Sequence, residues 1–214
     1  MDGHVERYAV LKGDIVGSTT LPTQGLVSVL NQLRRGVEAF SEQYRGAVYG
    51  VMDVFSGDSW QLLMPDWRRS LRAALYLRAI IRSDAECKID TRIAIGWGSV
   101  DADSLKLNRI TESTGEAFTR SGHTLEKMAK HTRLAFDGGE TGLPLVRASL
   151  ALADELAGRW TSKQAQAVAL ALLGQKQDKI ASASGKKQPT VYKALRSAGW
   201  RGIETFLEEV EYSL

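Results

Sequence analysis

The sequence predicts an α+β fold, a mixed sheet with helices packed on it, continued by a small all-helical tail. Three observations carry that reading. Short β-type runs alternate with segments of helical period, two of those runs are joined by the tight turn Ser56-Gly57-Asp58, and strand patterning stops near residue 158. The chain has 214 residues, 43% hydrophobic and 25% charged. That is more than one typical domain, with enough apolar material for a sizeable core.

Residues 8–11 are apolar and read as the first strand. Beyond Pro22, the apolar residues Leu26, Val29, Leu30, Leu33, Val37, Phe40 and Tyr44 follow the helical period and predict a helix over 23–44, stopped by Gly46. Residues 47–55 and 59–64 flank the Ser56-Gly57-Asp58 turn as a hairpin. Pro65-Asp66 opens a second helix to about residue 82, with Leu71, Ala74, Leu75, Leu77, Ile80 and Ile81 on a broad apolar face. Residues 89–100, rich in β-branched side chains, form a strand whose Gly96 and Gly98 signal a bulge or a close backbone approach. A helix over 116–128, a short strand over 132–136 and a helix over 143–156 complete this part. Hairpin-paired strands otherwise separated by helices give a sandwich of the ferredoxin-like type.

The boundary falls near Gly158, which divides the chain into a domain over 1–157 and a helical module over 158–214. In the module, Thr161 caps a helix carrying Ala165, Val168, Ala169 and Leu172, and Gly174 ends it. Ala181, Gly185 and Val191 then recur at intervals of four and six. A helix-turn-helix needs a small residue where two helices cross, a glycine for the turn and an apolar residue to seat the second helix. In that arrangement Gln188, Thr190, Tyr192, Lys193 and Arg196 lie on or near the outer face of the recognition helix. Lys186 and Lys187 are placed for phosphates, so double-stranded DNA is the expected partner. A helical hairpin for protein contacts, its basic face merely solvated, is the other reading of the same residues. The acidic stretch 204–211 is expected to pack back on the module or to join a dimer contact.

Composition sets further bounds. The net charge of +3 permits nucleic-acid contact without requiring it. A single Cys87, set among acidic residues, excludes a disulfide framework and a multi-cysteine zinc site, and fits a reducing cytoplasm. The start of the chain has no apolar signal core, and no apolar run reaches membrane-spanning length, so a cytoplasmic protein with no membrane partner is expected. His4, His123 and His131 have no metal-ligand spacing, and Trp60, Trp67 and Trp97 read as core or interface residues. Asp53 reads as a solvent-facing strand residue.

The chemistry concentrates at Lys12-Gly13-Asp14-Ile15-Val16-Gly17-Ser18-Thr19 and at Ser56-Gly57-Asp58-Ser59. An apolar run that delivers Asp14 to a glycine and two hydroxyls, with Asp58 at a tight turn, supplies the one or two carboxylates that Mg²⁺ takes together with phosphates. Gly-Asp is also a common turn pair, and an aspartate before a helix is often only a cap.

Taken in order with Arg92-Ile93-Ala94-Ile95-Gly96-Trp97-Gly98, these motifs resemble the catalytic domain of class III nucleotidyl cyclases over roughly residues 7–136. Together with the helix-turn-helix, the whole chain is similar to the bacterial SatD family. The resemblance implies Mg²⁺ or Mn²⁺ on Asp14 and Asp58, with the Ile15 carbonyl as a further ligand. It implies a nucleoside triphosphate held by the backbone N–H groups of Val16, Gly17, Ser18 and Thr19, and a site completed across a homodimer. Glu112 stands where cyclases read the purine. Three positions depart from the cyclase pattern: Thr119 and His123 replace an asparagine and an arginine, and Val54 replaces the purine-reading lysine. Arg120 is the nearest candidate for the missing cation, about 100° around the helix from the expected direction. The expectation is therefore a DNA-binding regulator whose cyclase-like domain binds a nucleotide with Mg²⁺. The alternative is a divergent nucleotidyl cyclase or nucleotidyltransferase with a two-metal mechanism.

Overall fold

The computed structural model describes residues 7–85, 89–139 and 143–213; His4 and Cys87 lie outside the described residues. Its first part runs β1 (Arg7–Val16), α1 (Thr23–Gln43), β2 (Tyr49–Phe55), β3 (Ser59–Met64), α2 (Trp67–Arg82), β4 (Asp90–Ser99), α3 (Glu116–Lys127), β5 (Leu134–Asp137) and α4 (Pro144–Gly158). Four helices follow: α5 (Ser162–Leu172), α6 (Gln177–Ser184), α7 (Gln188–Ser197) and α8 (Trp200–Ser213). The five strands lie in the order β2-β3-β1-β4-β5, antiparallel except for the parallel β4–β5 pair. The β1-α1-β2-β3-α2-β4 unit is thus the expected ferredoxin-like arrangement.

Strand alternation divides the sheet into two faces. Ala9, Leu11 and Ile15 of β1 point into the main core with Leu33, Phe40, Leu71 and Leu75 of α1 and α2. Val10 points the other way, into a smaller cluster with Leu63, Ile110 and Ala117. Gly96 and Gly98 serve that second face. A Cβ on Gly96 would stand 2.4 Å from the Ala117 carbonyl oxygen and from the Ser121 nitrogen, so only glycine lets α3 lie directly on β4. β1 is longer than the apolar run 8–11 suggests, because Lys12 and Asp14 continue its ladder against β4 through the Lys12–Ala94 and Asp14–Arg92 pairs. Asp14 therefore stands within the sheet, not beyond its end.

α2 is buried on nearly every side, since α5 and α8 cover the flank turned away from the sheet. Arg72 and Arg69 of α2 both grip Glu211 of α8, with Arg72 Nε 2.7 Å from Oε1, and the Glu211 side chain is only 2% exposed. The Tyr44 hydroxyl donates to the Leu172 carbonyl of α5 at 2.8 Å, and its ring lies under both guanidinium groups. Arg78, 2% exposed, joins Asp90 of β4 to Asp154 of α4. The acidic stretch over 204–211 thus packs back through Glu211, onto α2.

Candidate functional site

Asp14, on β1, and Asp58, in the β2–β3 hairpin turn, both lie close enough to Arg92 of β4 for their charges to act on it. Asp14 is placed by β1, whose neighbouring Gly13 leaves room for the Trp60 ring; a Cβ there would stand 2.5 Å from the indole. Asp58 sits in the β2–β3 turn, where Ser56 and Gly57 both take positive φ. Ser18 bridges the two motifs by donating its hydroxyl to Asp58 Oδ2 at 2.5 Å. After β1, Gly17 adopts φ 80°, and Thr20 N–H and Leu21 N–H turn back onto the carbonyls of Gly17 and Ser18. The long helix begins only at Thr23, so a short 3₁₀ turn over Ser18–Thr20 separates the loop from it.

The centre of this site is Arg92. It lies opposite Asp14 in the β1–β4 register, and its Nε donates to Asp14 Oδ1 at 3.0 Å while Nη2 donates to Oδ2. These hydrogen bonds hold the guanidinium above its ordinary pKa against desolvation, and the charges of Asp14 and then Asp58 add to the effect. One cation therefore feels both carboxylates. Two hard carboxylates converging on a positive charge, at a partly open edge, are a donor set suited to Mg²⁺ or Mn²⁺ with phosphate oxygens. A divalent ion there would share or release the Arg92 pair, and the Arg92 side chain is 31% exposed. In the sequence Arg92 stands only as the first residue of the motif Arg92–Gly98. Its partner depends on cross-strand register, which no local pattern reveals.

Other expected residues stand apart. Ile15 is buried in the core, 3% exposed, leaving only its backbone for a ligand. Arg120 pairs with Glu116 and the Trp97 carbonyl and packs against Gly139, so within one chain it does not reach the carboxylates. Thr119 and His123 lie exposed on α3, and the Thr119 hydroxyl donates to the Gly115 carbonyl. The exposed Glu112 carboxyl is held below its usual pKa by hydrogen bonds from Lys106 and Arg109. Asp53 corrects the sequence reading. It pairs in register with Gln61, which pairs with Lys12, so it shares the face of Asp14, and it accepts from Thr111 N–H and hydroxyl. Two alternations plus a hairpin register were needed to place it.

In the tail, Gly185 takes φ 63° between α6 and α7, and Ala181 and Val191 are buried. Lys187, Gln188, Thr190, Tyr192, Lys193 and Arg196 are exposed on or beside α7. Lys186 is half-buried, with Nζ 3.2 Å from Gln166 Oε1. A groove of about 740 Å³ between α1 and β2, lined by Arg34, Glu38 and Glu42 among others, contains none of the residues above.

No protein-family model matches the chain, and no curated protein matches it. Among solved structures it is similar to the dimeric guanylyl cyclase domain of a RhoGC fusion protein from the aquatic fungus Blastocladiella emersonii. The identity is 21% over 62% of this chain and 80% of that one, with a TM-score of 0.48. It is also similar to the guanylyl cyclase Cya2, at 14% identity over 61% and 74% of the two chains and a TM-score of 0.42. A third is the adenylyl cyclase CyaB from P. aeruginosa, at 15% identity over 62% and 76% and a TM-score of 0.39. Among the described residues, no helix is long and apolar enough to cross a membrane.

Proposed function

We propose that this chain binds a nucleoside triphosphate with Mg²⁺ or Mn²⁺ between Asp14 and Asp58 and acts on it as a divergent nucleotidyl cyclase or nucleotidyltransferase. The observation that supports it is the convergence of Asp14, Asp58 and Arg92 beside the Gly17 turn. In such a reaction a ribose hydroxyl attacks the α-phosphorus and gives up its proton to solvent, the bond from that phosphorus to the α–β bridging oxygen breaks, and pyrophosphate leaves with the electron pair. A divalent cation on the two aspartates would supply charge neutralisation on the phosphates. Arg92 would bind phosphate oxygens, and the backbone of residues 16–19 would orient the triphosphate. A homodimer would bring in α3 of the second copy, where Thr119 and His123 offer less charge than an asparagine and arginine. A slow enzyme is the consequence, because one cation on a transferring phosphoryl group is often worth several orders of magnitude in rate. Incubation with each NTP and Mg²⁺ or Mn²⁺ should yield a cyclic or dinucleotide product, lost in Asp14→Ala and Asp58→Ala. A chain that forms no product and binds no nucleotide in a metal-dependent way refutes the proposal.

A second reading, nucleotide-controlled DNA binding by a SatD-like two-part regulator in the cytoplasm, is favoured by the exposed basic face of α7. A two-fold dimer would present paired α7 helices to a pseudo-palindromic site. Lys193→Ala and Arg196→Ala should then weaken retardation of a promoter fragment and each lower the salt slope by about one. If a genomic selection yields no retarded fragment, this reading is lost.

A further inference from the structure

Two side chains on the Asp14 face of the sheet are not accounted for by metal binding. Lys12 lies two residues before Asp14 on the same face of β1, and it makes no ion pair or hydrogen bond among the described residues. Its ammonium sits 5.3 Å from the centre of the Phe55 ring of β2, in a slot closed on the other side by α3, where a Cβ on Gly122 would stand 3.7 Å away. Lys12 pairs in register with Gln61 of β3, the strand between β1 and β2. To reach Phe55 its side chain crosses β3 beside Gln61, and Gln61 is 94% buried (6% exposed) with Oε1 unpartnered. A half-buried cation without an anion and a buried acceptor without a donor are each unfavourable, and here they are adjacent.

We infer that Lys12 and Gln61 form the ribose–α-phosphate subsite of the nucleotide. Lys12 donates to α-phosphate oxygens and, in moving onto them, uncovers Gln61, whose Oε1 accepts from a ribose hydroxyl. One ligand satisfies both: an anion for Lys12, two residues before Asp14, and a hydroxyl donor for Gln61, three residues after Asp58. The site thereby gains within one chain a cation that the exposed His123 supplies poorly. This inference rests on the nucleotide-binding reading above.

The test is titration of the full chain with Mg-ATP and Mg-GTP and with their 2′,3′-dideoxy counterparts. Lys12→Met should weaken triphosphate binding about 10- to 100-fold, the scale of a charge-assisted hydrogen bond, and Lys12→Arg should restore most of it. Gln61→Leu should bind ribo and dideoxy nucleotides alike, where the wild type prefers the ribo form. It should also unfold at no lower temperature without nucleotide, because no satisfied hydrogen bond is removed. If Lys12→Met fails to fold, Lys12→Gln and the Gln61→Leu discrimination decide the matter. Wild-type binding that is lost in Asp14→Asn but unchanged in Lys12→Met, Lys12→Gln and Gln61→Leu overturns this inference alone. A wild-type chain that binds no triphosphate overturns the nucleotide reading with it.

Discussion

Glu211→Ala offers the sharpest test of how the helical tail is held. Its carboxylate is 2% exposed and takes three hydrogen bonds, from Arg69 Nη1 at 2.9 Å and from Arg72 Nε and Nη2 at 2.7 and 3.0 Å. Arg69 is 27% exposed and turns to water once the partner is gone; Arg72, at 8%, does not. The substitution leaves a buried guanidinium with the Tyr44 ring at 5.8 Å and the more distant Glu204 charge in place of its direct carboxylate partner. Removing one partner of a buried pair costs about 3–5 kcal/mol, because the other charge stays desolvated. For a chain of this size, that corresponds to a fall in Tm of about 6–20 °C. Urea unfolding followed by tryptophan emission reads the change, since Trp160 and Trp200 both lie buried among the tail helices. The loss should be nearly independent of salt, unlike that of a surface pair. The paired change Arg72→Met with Glu211→Leu should recover most of the loss. A cost below about 1 kcal/mol for Glu211→Ala, the range of an exposed ion pair, would refute a desolvated clamp between α2 and α8.

Further outcomes follow from the same packing. Gly96→Ala should destabilise the chain by about 1–3 kcal/mol, because its methyl meets α3 backbone that cannot yield; a neutral effect in urea unfolding would contradict the direct seating of α3 on β4. Burial, then the charge of Glu208, raises the Glu204 carboxyl above its ordinary pKa. A raised folded-state pKa gives a contribution present below the unfolded value and lost as pH rises through the folded one. Glu204→Gln should therefore raise Tm at pH 7.5, with the gain shrinking toward pH 4; a gain that does not vary with pH would contradict this. Arg92→Met should leave Asp14 and Asp58 facing each other without a cation, so the Tm of the metal-free chain should fall at pH 7.5 and recover partly with Mg²⁺. A variant insensitive to Mg²⁺ would mean the carboxylates do not share an ion.

What the sequence could convey depended on how far apart the interacting residues lie. The helix over Thr23–Gln43 and the hairpin strand over Ser59–Met64 were legible because period and turn chemistry are local. The strand bearing Asp14 was read short, because Lys12 and Asp14 break its apolar run while the β4 ladder carries them onward. The acidic pair was legible as two motifs, but not its cation, since Arg92 meets Asp14 only through a register set 78 residues away. Asp53 reads as solvent-facing from its strand alone for the same reason: its face is fixed by two successive pairings, through Gln61 to Lys12. The buried charges of α2 were hidden behind an amphipathic pattern. Arg72 and Arg78 look solvent-facing until α4 and α8 cover them with Asp154 and Glu211.

The same distinction orders the chemistry. Among the described residues, Arg92 holds Asp14, Ser18 holds Asp58 and Thr111 holds Asp53, whereas Lys12 has only the Phe55 ring and no anion or hydrogen-bond acceptor. A sheet face stabilised only for its own sake would have no use for a half-buried lysine lying beside an unpaired amide. Local stability gives a reason to replace Lys12 and Gln61 by apolar residues, as Val10 and Leu63 are on the next pair of the same strands. On the proposed reading, that polarity serves a ligand that spans the distance between Asp14 and Gln61, and the loss of ribo-over-dideoxy preference in Gln61→Leu is its check.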